Sequence, residues 1–161
     1  MARKITLTPD RLPDQLRELQ FDRLEATVDD SVSPARISRC GFIREASAPL
    51  LREALQAARD FWPQLELNRN FQAGIMYMGG WDAAGVDMKS CYFQGELEGF
   101  LKQYGSRRLT DKGFACAALE GALYRGRLAT LAILEKRITL HIELSPEESA
   151  KILEKETIPH A

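Results

Sequence analysis

From Ile138 to Leu144 the chain alternates without a break, with Ile138, Leu140, Ile142 and Leu144 against Thr139, His141 and Glu143. A two-residue period is that of a strand with one face buried. Directly after it, Ser145-Pro146-Glu147-Glu148 places a serine cap, a first-turn proline and an N3 glutamate in the order a helix start requires. This predicts a helix from Pro146 to about Glu156. Leu128 to Leu134 supplies a second apolar run, which pairs with Ile138 to Leu144 as a hairpin around Glu135-Lys136-Arg137. The C-terminal part therefore reads as a β-hairpin followed by a capped helix.

The same reasoning covers the rest of the chain. Ile5 to Leu7 reads as a strand, and Thr8-Pro9-Asp10 opens a short helix to about Leu19, or one that starts at Pro13. Arg23 to Val28 and Ala35 to Ile43 read as two strands across the turn-rich stretch from Asp29 to Pro34. Ser47 begins an amphipathic helix in which Leu50, Leu51, Ala54, Leu55, Ala58, Phe61 and Trp62 share a face, and Pro63 ends it. A strand from Phe71 to Met78 follows, then a loop at Gly79-Gly80-Trp81-Asp82. Apolar spacing predicts one helix from about Asp87 to Tyr104, closed by Gly105. Alanines and the 114, 118, 121/122 spacing predict another from Thr110 to Tyr124. Two antiparallel hairpins without regular βαβ alternation make the expected class α+β, one domain over 1–161 with a mainly antiparallel sheet, four to five helices and frayed last residues.

Composition narrows the function classes. At 161 residues, 45% hydrophobic, 28% charged and net charge −1, the chain is an ordinary globular sequence long enough for one substantial core. No apolar run reaches the roughly 18 residues of a membrane span, and Met1-Ala2-Arg3-Lys4 leads into no hydrophobic signal region, so a cytoplasmic protein away from membranes is expected. Cys40, Cys91 and Cys116 lack a paired spacing, and His141 and His160 are the only histidines. Neither a disulfide framework, a metal site nor a cofactor is expected.

Three groups of residues can carry contacts. The loop Gly79, Gly80, Trp81, Asp82 to Asp87 combines close backbone approach, a stackable ring and two carboxylates, although it contains neither of the glycine-rich phosphate motifs. Cys91, Gly95 and Gly99 recur every four residues and would line one face of the predicted helix, suited to close packing within the fold or against a second copy. Arg107, Arg108, Arg125, Arg127, Lys136 and Arg137 lie in a stretch, Leu101 to Arg137, with eight basic residues against three acidic ones. Such an excess suits an anionic partner. A Cys91–His141 nucleophile and base pair can be written down, but no catalytic residue is identified.

Together these signals favour a small cytoplasmic interaction or regulatory protein that acts by binding rather than turnover, its partner another protein or itself. A small-molecule-binding domain or enzyme using the Gly79–Asp87 loop, with Asp82 or Asp87 as acid or base, is the alternative. A nucleic-acid binder using the basic 107–137 segment is the other.

Overall fold

In a computed structural model, which describes residues 2–12, 14–77, 89–109, 114–134 and 136–157, the chain forms one eight-stranded antiparallel sheet. The strands are β1 (Ala2–Leu7), β2 (Arg23–Asp29), β3 (Arg36–Glu45), β4 (Leu65–Tyr77), β5 (Lys89–Gly95), β6 (Phe114–Tyr124), β7 (Arg127–Leu134) and β8 (Arg137–Ile142). Their order is β1-β2-β3-β8-β7-β6-β4-β5. Two meanders, β1-β2-β3 and β6-β7-β8, join where β8 pairs with β3.

The described helices are a single turn α1 (Asp14–Arg17), then α2 (Leu51–Phe61), α3 (Leu97–Tyr104) and α4 (Pro146–Thr157). Three of them exceed one turn, fewer than the four to five expected. Alternation places Leu24, Ala26 and Val28 of β2 in the core, beside Phe42 of β3, Leu140 of β8 and Leu131 of β7. Removal of these side chains from water drives the assembly.

The C-terminal cap forms as its residues require. The Ser145 N–H donates to the Glu148 carboxylate at 2.9 Å and the Glu148 N–H donates to the Ser145 hydroxyl at 3.1 Å. Arg127 adds two bonds to the same carboxylate, at 2.7 and 3.0 Å. Burial pushes the Glu148 carboxyl up, but the Ser145 N–H and the Arg127 guanidinium outweigh it and hold the group below its ordinary value.

Four expectations about particular segments are corrected by the fold. The stretch from Asp87 to Tyr104 is not one helix: its described part is β5 and α3, divided at Gly95, whose φ of +150° few side chains tolerate. Backbone pairing with β4, from Phe71↔Gly95 to Tyr77↔Lys89, gives residues 89–95 a ladder in place of helical bonds. Cys91 and Gly95 therefore sit on a strand and Gly99 on a helix.

The predicted helix from Thr110 to Tyr124 is β6 where it is described. Leu119 pairs with Leu131, but the next paired residue is Ala122 with Ala129, because a bulge intervenes at Glu120 and Gly121. Gly121 carries a φ of +87°. A bulge moves the buried set from a spacing of two to a spacing of three, which imitates a helical period in the sequence.

Near the N-terminus, the expected helix to Leu19 is broken into a 3-10 turn, Pro9–Arg11, and α1. Leu12 is extended between them, as a residue before a proline must be. Its side chain is buried with Leu16 and Leu19 all the same. Helix α2 begins at Leu51 rather than Ser47, since Leu50 is extended and bridged to Arg108.

Candidate functional site

The helices lie on one side of the sheet. Phe61 of α2 lies under the Arg44 guanidinium at 4.1 Å, Phe93 of β5 packs on Phe100 and Tyr104 of α3, and Arg127 reaches Glu148 of α4. Arg44, Phe93 and Arg127 all belong to the register set of Ile138, Ile133 and Ala73, so they point to the same face. The opposite set includes Thr27, Gly41, Ile43, Thr139, His141, Thr130 and Ala132. Among the described residues no helix covers it.

This bare face is not flat. A cleft of about 480 Å³ runs over β1, β2, β3, β8 and β7, with Lys4, Thr27, Arg39, Arg137 and His141 in its lining and Ile43 and Ala132 at its floor. Ile43 is only 1% exposed there. A second hollow of about 430 Å³ continues past His141 and carries Glu120, Glu143, Thr130 and Leu128. Leu128 is 62% exposed there. The bare face thus carries Lys4 and Arg137 on one side of His141 and Glu120 and Glu143 on the other, with Arg39 lining both hollows.

His141 occupies this boundary because Gly41 stands opposite it in the β3–β8 register. A Cβ on Gly41 would lie 2.8 Å from the imidazole Cε1 and 2.7 Å from Thr139 Cγ2, so only glycine leaves room for the ring. Nδ1 lies 3.2 Å from the Cys40 carbonyl. A carbonyl only accepts, so Nδ1 carries the proton and a neutral imidazole presents Nε2 as an acceptor. Burial lowers the His141 pKa, the Arg39 charge lowers it further, and the Cys40 carbonyl opposes them in part.

The neutral ring ties stability to pH. A histidine held below its ordinary 6.5 leaves the unfolded chain binding more protons, so its contribution is complete above 6.5 and is lost as pH falls from 6.5 through the lower folded value. The melting temperature should therefore fall between pH 7.5 and 5.5, and His141→Gln should flatten that part of the profile. Equal slopes in the two proteins would show that the ring is not held neutral by the fold.

The residues singled out from sequence fare unequally. The loop from Gly79 to Asp87, with Gly80, Trp81 and Asp82, lies outside the described residues. Cys91 and His141 do not form a pair: their strands are four positions apart in the sheet, about 19 Å at the usual strand spacing. Cys40 is buried, with its thiol pushed up to about 12 chiefly by desolvation, which makes it unreactive.

The basic set does not converge. Arg125 pairs with Glu18 at 2.6 Å and Arg127 with Glu148, both at one end of β7. Lys136 and Arg137 lie at its other end, about 25 Å away along the strand. Arg107 and Arg108 flank the start of α2. Of the six, only Arg137 lines the cleft.

Sequence reasoning missed Lys4, Arg39 and Gly41. The available signal was Gly41 inside an otherwise strand-like run, which marks a close approach. Among the described residues no three His, Cys, Asp or Glu side chains come together as a metal cluster, and no helix is long and apolar enough to cross a membrane. No protein-family model, curated protein or solved structure was found to match the chain.

Proposed function

We propose that this protein is a binding module that acts without turnover and presents the bare face of its sheet to a small ligand. The observation that carries this reading is the one-sided fold: the described helices pack on one face, while the other holds a cleft with polar and cationic walls. Its volume falls within the range of small-molecule sites, about 300–1,000 Å³. A larger groove of about 940 Å³ between α4 and the β2–β3 connection is lined mainly by aliphatic groups such as Val32, Pro34, Ile37, Leu144 and Leu153. It carries polar groups as well, Arg36, Ser149 and Glu154, but has one cation where the bare-face cleft has three.

Partner binding through a Cys91/Gly95/Gly99 stripe loses its support, because those residues share no helix. Nucleic-acid binding through the 107–137 segment loses most of its support with the division and ion pairing of its arginines. Native mass spectrometry of freshly purified protein tests the reading. The wild type should retain an added small mass, and Ala132→Trp, which fills the cleft floor, should lose it without a change in melting temperature. A wild type of bare chain mass, or an added mass that survives Ala132→Trp, overturns it.

A further inference from the structure

We propose that the cleft binds a small organic oxyanion, a carboxylate or phosphate held at Lys4 and Arg39, with its body against Ala132 and the aliphatic stems of the lining side chains. This deepens, and rests on, the reading of the bare face as the binding surface. Lys4 and Arg39 register with Thr27 from either side, so two long cationic chains flank one hydroxyl position. Their backbones are about 10 Å apart across two strand spacings, a gap that lysine and arginine side chains can close upon one oxyanion.

Among the described residues neither Lys4 nor Arg39 makes a side-chain hydrogen bond or ion pair, although Glu120 and Glu143 line the adjoining hollow with Arg39. Glu25, the acid in the cleft lining, is drawn to Arg23 at 3.6 Å, and Arg23 also binds Glu45 at 2.7 Å. Also in the lining, Arg137 has a buried Nε–H without a hydrogen-bond partner. A donor left without an acceptor is costly, and a polar group at the far end of a ligand would satisfy it.

The ligand's shape follows from the surroundings. At about 480 Å³ the cleft exceeds what an inorganic anion needs, and the half-buried Ala132 with the aliphatic stems of Lys4, Arg39 and Arg137 gives an organic body apolar surface to cover. Glu120 and Glu143 share the adjoining hollow with Arg39 and repel an anion there, which leaves the Lys4 side of Arg39 to the charged end. His141 Nε2, between the two halves, accepts from a ligand hydroxyl or N–H.

Amide NMR titrations with benzoate, phenyl phosphate and neutral benzyl alcohol, at matched ionic strength, test this. Benzoate or phenyl phosphate should shift amides of β1, β3 and β8, and the stronger of the two identifies the oxyanion. Arg39→Gln and Lys4→Gln, at exposed positions, should each weaken that binding about tenfold with the fold intact. Benzyl alcohol binding the cleft as tightly as the anions would overturn the oxyanion while leaving the bare face as the binding surface. Anion shifts confined to other parts of the fold would overturn both. Absence of shifts from either anion would overturn the oxyanion alone, and the retained mass would still decide the wider reading.

Discussion

Truncating Trp62 to alanine should lower stability by about 3–5 kcal/mol. The ring is 1% exposed at the C-terminal end of α2, edge-on to Phe61 with ring centres 6.0 Å apart. It joins α2 to the sheet-side core, so its removal leaves a cavity where the helix meets β4. Trp62→Phe should cost far less, under about 1.5 kcal/mol, even though it too removes volume. The indole Nε1 is buried without a hydrogen-bond partner, and phenylalanine removes that unsatisfied donor. Urea unfolding with unchanged m-values measures both. Equal losses in the two variants would mean that the N–H is satisfied in solution and that its removal brings no relief.

Gly41→Val should destabilise the protein by about 1–3 kcal/mol and displace His141. The added Cβ would stand 2.7 Å from Thr139 Cγ2 and 2.8 Å from His141 Cε1, both closer than carbon atoms pack. Thr139 is 8% exposed and stiff at χ1, so the imidazole is the group that must move. In leaving, it breaks the 3.2 Å bond to the Cys40 carbonyl and gains water. Its pKa should rise toward 6.5 as desolvation is relieved, which an NMR titration of the ring protons reads directly. Wild-type stability with an unchanged imidazole pKa would refute the steric role given to Gly41.

The consequence for function is separable from the stability loss. A variant whose imidazole has swung out changes the acceptor at the boundary between the two hollows of the bare face, while Lys4 and Arg39 stay where the register places them. Oxyanion binding should survive in Gly41→Val to the extent that it depends on those two cations.

Elements with self-sufficient local signals were legible in the sequence. The Ser145–Glu148 cap forms from four consecutive residues that satisfy one another's backbone groups, so nothing distant is needed to specify the start of α4. The alternation of β2 and β8 and the amphipathic face of α2 survive because each keeps one period over its length. Pro63 ends α2 for a covalent reason.

Tertiary structure decided the rest wherever the signal depended on a neighbour. Residues 89–95 and 114–124 are strands because β4 lies between them and supplies backbone partners on both edges; read alone, their spacing suits a helix, and the bulge at Glu120 and Gly121 hides the strand period. The division of the sheet into a covered and a bare face is likewise invisible in sequence, since alternation says that two faces differ but not which helices will cover one. The cleft is the least local feature of all. Lys4 and Arg39 come together through the β1-β2-β3 meander, but Arg137 and His141 join them only because the sheet inserts β8 beside β3, which brings Gly41 opposite a residue near the other end of the chain. A sequence specifies its turns and caps through contacts a few residues long, whereas a site on a sheet face depends on strand order, and strand order is set by packing of the whole core.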